Sequence, residues 1–244
     1  MTKSELLKDL DGWTEVFIVD PITLPLVKGI YPRLRNPLVL TALSFSIGIL
    51  AGILILMDQY VIGSLLFFSS IIFDGMDGKL ARLVNNPRLS RIHAIFDLML
   101  DVIRNVFVLL VMTIKFPEYS LLLFGFLGLL FIYEASYCLR LELRQRAGIV
   151  TSYSMNSLIS QYSNILGKRG ASAQLFGAYF KLFDRTKTLR TYPNPTIVDA
   201  EFILFVVFPF FPNLYSIILA LIFLLPDVAV SLFLTIKLAT REEV

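Results

Sequence analysis

Phe73-Asp74-Gly75-Met76-Asp77-Gly78-Lys79-Leu80-Ala81-Arg82, followed after a short loop by Ile95-Phe96-Asp97-Leu98-Met99-Leu100-Asp101, holds two acidic pairs embedded in apolar sequence. Ionised carboxylates at membrane depth are costly and mark an ion or substrate site. Four of them together repel strongly unless cations neutralise them. Divalent cations such as Mg²⁺ and its relatives suit such a set, because they prefer oxygen ligands.

The spacing makes the four carboxylates a constellation. Asp74 and Asp77 are i, i+3 and share one face of a helix; Asp97 and Asp101 are i, i+4 and share one face of the next. Between them, Asn85-Asn86-Pro87 reads as a turn and a helix start, with Asn86 at the N-cap and Pro87 at the first helical position. A short turn predicts antiparallel neighbours whose acidic faces meet within metal-binding distance. Gly75 and Gly78 are expected to leave room for a ligand to approach the backbone. The bland alternative is that the aspartates cap helix ends or pair with Lys79, Arg82 and Arg104.

Outward from this segment, the chain is that of a membrane protein. Its 244 residues are 56% hydrophobic, with a mean hydropathy of +0.73, which excludes an ordinary soluble globule. A hydrocarbon core of ~30 Å needs about 20 apolar residues per helix. Six such stretches are expected: Pro37 to Met57, Val61 to Leu80, Leu89 to Phe116, Tyr119 to Leu139, a short one from Val198 to Phe211, and Leu214 to Leu238. The fold expected is thus an all-α membrane protein with six transmembrane helices. Residues 1–36 form an N-terminal cytoplasmic or interfacial arm, and 37–244 a six-helix transmembrane catalytic domain. Trp13, Phe17 and Ile18 suit an arm laid along the membrane surface, a solvated arm being the alternative. Pro21, Pro25 and Pro32 are expected to break it into pieces.

Basic residues cluster in two connections. Arg140, Arg144, Arg146, Lys168, Arg169, Lys181, Arg185, Lys187 and Arg190 lie between the fourth and fifth spans. Lys79, Arg82, Arg88 and Arg91 lie around the turn between the second and third. The positive-inside rule then puts both basic loops, both termini and the active site on the cytoplasmic side of a multi-pass integral membrane protein. The single Cys138 excludes an intrachain disulfide, and one histidine excludes a histidine-based metal cluster. A nucleic-acid partner is not expected.

These residues resemble the CDP-alcohol phosphotransferase family of integral membrane enzymes, also called CDP-alcohol phosphatidyltransferases. The family signature is D-x2-D-G-x2-A-R-x8-G-x3-D-x3-D. Asp74, Asp77, Gly78, Ala81 and Arg82 match its first half, and Asp97 and Asp101 its last two aspartates. The chain departs from it twice. The gap after Arg82 is ten residues rather than eight, and His93 stands where the family has glycine. That glycine lies beside the bound cytidine nucleotide in the family. His93 would therefore reshape the pocket, contact the nucleotide, or signal lost activity; a histidine simply hydrogen-bonded to Asp97 is the plainer reading.

The resemblance implies a reaction in which a hydroxyl acceptor attacks the β-phosphorus of a CDP-activated alcohol, releasing CMP, in phospholipid biosynthesis. It implies a two-metal site with Mg²⁺ or Mn²⁺, which neutralises pyrophosphate charge and holds the attack in line. Asp74, Asp77 and Asp97 would hold the metals, with Asp101 assisting and serving as general base, provided its surroundings raise its pKa. Gly78, Ala81, Arg82 and His93 would line the nucleotide site, Arg82 as a phosphate partner. Asn36, Pro37 and Thr41 loosely match a family pattern, or simply start a helix. Arg140, Arg144, Arg185, Lys187 and Arg190 could hold a phosphorylated acceptor such as glycerol phosphate or inositol phosphate, or else anionic lipid headgroups. Glu134 and Asp227 suit polar pairing inside the bundle, and Asp199 and Glu201 the start of the fifth helix. Gly48 and Gly52 form a small-xxx-small pattern that would serve either a homodimer, which the family often forms, or internal packing.

The partners implied are membrane lipids, a CDP-linked donor, most simply a CDP-lipid, and a small alcohol acceptor. A soluble CDP-alcohol with a lipid acceptor is the alternative within the chemistry. A non-catalytic homologue and a divalent cation transporter lie outside it. The positive charges of Lys79 and Arg82 beside the aspartates speak against a transporter.

Overall fold

The computed structural model describes residues 6–8, 11–84, 86–146, 186, 189–192 and 194–240. Among them the chain is helical, with one isolated bridge between Asp11 and Thr191. A π-helical turn at Glu15–Val19 leads into α1 (Asp20–Ile30). Then come α2 (Pro37–Leu56), α3 (Tyr60–Val84) and α4 (Pro87–Lys115), a 3₁₀ turn at Pro117–Tyr119, and α5 (Ser120–Arg146). The sixth helix, α6, has three consecutive pieces: Ile197–Glu201, a π-helical stretch Phe202–Val207, and Phe208–Phe210. The last is α7 (Leu214–Ala239).

The helix starts follow from local chemistry. Asn36 caps α2 by accepting from the Leu38 amide at 3.2 Å. Asn86 caps α4 by accepting from the Arg88 and Leu89 amides, each at 3.1 Å, and proline occupies the first turn of both helices. The N-terminal prolines act differently from expectation. Helix α1 runs through Pro21 and Pro25. Pro21 lies in the first turn, where its missing amide has no intrahelical role. Pro25 forfeits one helical hydrogen bond, while Val19, Asp20, Thr23 and Val27 around it are buried and the helix packs on α3. The opposite face exposes Trp13, Phe17, Ile22 and Leu26.

Four segments are long and apolar enough to cross a membrane: Pro37–Leu56, Tyr60–Val84, Pro117–Arg140 and Leu214–Ile236. This fits a multi-pass membrane protein. The other two expected spans fall short for different reasons. Helix α4 is 29 residues long, ample at ~1.5 Å per residue, but carries Arg88, Arg91, Asp97, Asp101 and Arg104. Helix α6 is apolar but shorter than a ~30 Å core requires.

Helix α2 packs along both α3 and α4, which touch each other far less than either touches α2. Its glycines permit the approach. A Cβ on Gly48 would lie 2.3 Å from Arg104 Cδ, and one on Gly52 2.6 Å from Phe107 Cε1. The small-xxx-small pattern therefore serves packing inside the fold. Ser44 and Ser70 lock α2 to α3 by donating to each other's carbonyls at 2.9 and 2.8 Å. On the far side, the π-helical part of α6 places Phe205 with its centroid 4.7 Å from Phe67 of α3 and 6.4 Å from Phe126 of α5. Helices α5 and α7 are joined by Ser136 and Ser231, 2.6 Å apart, and by Thr235 donating to the Ser136 carbonyl at 3.0 Å.

Candidate active site

The two acidic faces meet. Ligand atoms of Asp74, Asp97 and Asp101 lie within 4.8 Å of one another, and so do those of Asp77, His93 and Asp97. Asp97 belongs to both groups, so the arrangement is two adjoining clusters that share one carboxylate. Asp77 and His93 are buried, while Asp74, Asp97 and Asp101 are partly exposed. Asp74 Oδ1, His93 Nε2 and Asp97 Oδ1 are buried atoms with no hydrogen-bond partner among the described residues. Buried polar atoms are nearly always paired, so three orphans converging here are what a metal site would leave. All are oxygen or imidazole donors, which suits a divalent cation.

Neighbouring elements hold the carboxylates in place. Thr41 of α2 donates to Asp77 Oδ2 at 2.7 Å, so the residue that loosely matched a family pattern touches the site, while Asn36 acts as a cap. Arg104, buried one turn beyond Asp101, pairs with two of the four aspartates. Its Nη1 lies 3.0 Å from Asp101 Oδ1 and 3.6 Å from Asp74 Oδ1. It also donates to Ser44 Oγ at 3.0 Å and Ser70 Oγ at 3.3 Å and stacks over Phe67 at 5.4 Å. Behind it, Asn105 donates to Glu201 Oε1 of α6 at 2.7 Å. The sequence offered Arg104 only as a neutralising partner. Its signal as a site element was an arginine in an apolar helix, i, i+3 from an aspartate.

His93 Nε2 stands 3.4 Å from Asp77 Oδ1, within ion-pair range. It thus faces Asp77 as well as Asp97, the partner expected from spacing. Gly78 is open, since a Cβ there would meet only Arg82 Nη1, at 3.6 Å. Gly75 is different: a Cβ would lie 2.5 Å from Val19 Cγ1 and 3.2 Å from Glu15 Oε1. Its missing side chain admits the N-terminal segment rather than a ligand. Ala81 is partly exposed on α3, and Arg82 Nε donates to the Leu6 carbonyl at 2.9 Å.

Lys79 turns away from the aspartates. Its buried ammonium binds Glu15 Oε1 at 2.6 Å and Asp20 Oδ1 at 2.8 Å. Its charge is therefore spent on the N-terminal segment and carries no weight against a transporter. Burial raises the Glu15 carboxyl above its ordinary range, with the Lys79 ammonium opposing the shift. Arg190, with φ of 60°, binds Asp20 Oδ2 at 3.0 Å and donates twice to the Lys8 carbonyl, at 3.1 and 2.9 Å. Asp199 closes the same junction. It forms a capping box with Thr196 and accepts from the amides of Trp13 and Thr14. Asp227 accepts from the Ile197 amide at 3.1 Å, the polar pairing its position in α7 suggested.

Of the acceptor-site residues, Arg140 is buried on α5 with its guanidinium 5.6 Å from the Tyr137 ring centroid. Arg144 is described only as helical backbone, and Arg185 and Lys187 lie outside the described residues.

Comparison with curated proteins found no match to this chain. The sequence pattern of the CDP-alcohol phosphatidyltransferase family matches residues 34–193. That stretch includes α2, α3, α4, α5 and all four aspartates. It spans more than half of the chain, so the protein belongs to the CDP-alcohol phosphatidyltransferase family, membrane transferases that move phosphatidyl groups from CDP-alcohols in phospholipid synthesis and generally depend on a divalent metal.

Proposed function

We propose that this chain transfers a phosphatidyl-type group from a CDP-activated lipid to a hydroxyl acceptor and releases CMP, with Mg²⁺ or Mn²⁺ bound by Asp74, Asp77, Asp97 and Asp101. The observation that carries this is the pair of ligand clusters sharing Asp97. When bound, the metals would neutralise the pyrophosphate and stabilise the charge of an in-line displacement.

The residues divide the remaining work. Asp101 takes the proton from the acceptor hydroxyl. Arg104, 3.0 Å from it, orients that carboxylate and restrains its charge. Open Gly78 lets a nucleotide approach the α3 backbone, with Ala81 and Arg82 lining the same side. Thr41 fixes Asp77 through its hydroxyl. The six-span reading is kept, with α4 and α6 as the two less apolar spans, both termini and the site on the cytoplasmic side, and residues 1–36 as an arm docked on a catalytic domain of 37–244. The ties from Lys79 to Glu15 and Asp20 support the docking.

A phosphorylated acceptor has narrower support. Arg190 is committed to Asp20 and Lys8, which leaves Arg140 as its described basic residue. The test is incubation of purified protein with CDP-diacylglycerol or its ether analogue and, separately, glycerol phosphate, inositol phosphate, inositol and serine. CMP and a new lipid should appear only with Mg²⁺ or Mn²⁺. Unchanged CMP release in excess chelator would sink the two-metal reading, and product with serine alone would remove the phosphorylated acceptor.

A further inference from the structure

We propose that His93 is a metal ligand, so that one of the two clusters offers mixed nitrogen and oxygen donors (Asp77, His93, Asp97) and favours Mn²⁺, Co²⁺ or Zn²⁺ over Mg²⁺. The inference rests on the metal-bound reading of the site above. The family signature has glycine at this position and therefore supplies no nitrogen donor there. Three observations carry it. His93 is 5% exposed. Its Nε2 is buried without a hydrogen-bond partner among the described residues. The same residue offers a ligand atom within 4.8 Å of ligand atoms of both Asp77 and Asp97.

A buried polar nitrogen is nearly always paired, and this one has no partner among the described residues. Here it faces Asp77 Oδ1 at 3.4 Å, with Asp97 also within reach, as ligands flanking a common ion would. The placement is built in. Position 93 is one helical turn before Asp97 on α4, and Thr41 holds Asp77 Oδ2 while leaving Oδ1 on the His93 side. Imidazole suits Zn²⁺, Co²⁺ and their neighbours, whereas Mg²⁺ prefers an all-oxygen shell. The two clusters then differ chemically: Asp74, Asp97 and Asp101 make an oxygen-only set, and the other contains the nitrogen.

His93 is the only histidine of the chain, so the test needs no substitution. Full-length protein carrying a non-histidine affinity tag is prepared with natural-abundance and with ¹⁵N-labelled histidine, loaded with Mn²⁺ alone, and measured by pulsed EPR. Nitrogen modulation that changes with the histidine isotope is expected. In His93→Gly it should vanish, and Mn²⁺ affinity relative to Mg²⁺ should fall at least about tenfold, the low end for groups that merely support a ligand. Bound Mn²⁺ without histidine coupling overturns the inference, as does protein that binds no Mn²⁺. His93→Gly that weakens CMP binding but leaves Mn²⁺ affinity unchanged also overturns it, in favour of a nucleotide contact. The two readings fail separately. Coupling without CMP from any CDP donor upholds the ligand and sinks the transferase; CMP release with uncoupled Mn²⁺ does the reverse.

Discussion

Helix α3 carries two charged clusters within two turns of each other, and they are built on opposite plans. Around Lys79, two cations meet two anions: Lys79 binds Glu15 and Asp20, and Arg190 binds the other oxygen of Asp20. Around Asp74 and Asp77, four carboxylates converge, Arg104 pairs with two of them, and two carboxylate oxygens and an imidazole nitrogen lack a hydrogen-bond partner among the described residues. The first cluster is complete in itself. The second gathers like charges, which repel strongly where water is scarce and which a bound cation would offset. Burial alone does not separate structure from function here. The balance of charge does.

The sharpest break in this comparison comes from Asp74→Asn. The substitution keeps size and removes charge from the unbalanced cluster. Metal stabilisation of the displaced charge is worth several kcal/mol, and each ~1.4 kcal/mol is tenfold in rate. CMP release should fall by about a thousandfold or more, while thermal stability in detergent holds or rises. A variant with near-normal turnover would show that the cluster does not bind the catalytic metal.

Asp101→Asn tests the division of labour inside the same cluster. Loss of a general base costs about 10²- to 10⁴-fold in turnover. Binding of Mn²⁺ and CMP, measured by calorimetry, should largely survive, because Asp74, Asp77 and Asp97 remain. Turnover within a few-fold of wild type would remove the base assignment.

The acidic cluster was legible because helical period and residue type are enough to place Asp74 with Asp77 and Asp97 with Asp101. The turn at Asn86-Pro87 links the two helices, but it is their common packing on α2, more than on each other, that holds the faces together. What was not legible is which cations answer which anions. Lys79 stands two residues from Asp77, yet i, i+2 positions on a helix do not face each other, and its partner Glu15 lies 64 residues away. The same distance hides the role of Gly75, whose missing side chain is used by Val19 and Glu15, and ties Arg190 to Lys8 and Asp20. Helices α4 and α6 escape a simple apolar count for complementary reasons, one holding the site and the other being short. Those depend on packing, which residue order alone does not carry.

Lys79→Met tests the balanced cluster. It strands the Glu15 carboxylate and leaves Asp20 with Arg190 alone, and breaking a buried pair costs about 3–5 kcal/mol. The melting temperature should drop sharply, with loss of protection of residues 11–30 in hydrogen exchange, while Mn²⁺ affinity of the protein that remains folded is unchanged. Equal loss of Mn²⁺ affinity would mean that the two clusters are one energetic unit.

Glu15→Gln should give the smallest effect, and its pH dependence has an unusual sign. Burial is the largest influence on Glu15 and raises it above its ordinary 4.5; Lys79 opposes the rise, Asp11 adds to it and Lys8 opposes it. An acid whose pKa is raised by folding binds its proton more tightly in the folded state. Its contribution is most favourable below the unfolded pKa and is lost as pH climbs from there through the raised folded value. Glutamine does not titrate, and Asp20 still holds Lys79 at 2.8 Å. The melting temperature of the variant relative to wild type should therefore rise with pH above about 4.5 and then level off, in contrast to the uniform loss in Lys79→Met. A difference that falls with pH would mean that attraction to Lys79 outweighs the cost of burying Glu15, and that this cluster is stabilising in its own right rather than merely balanced.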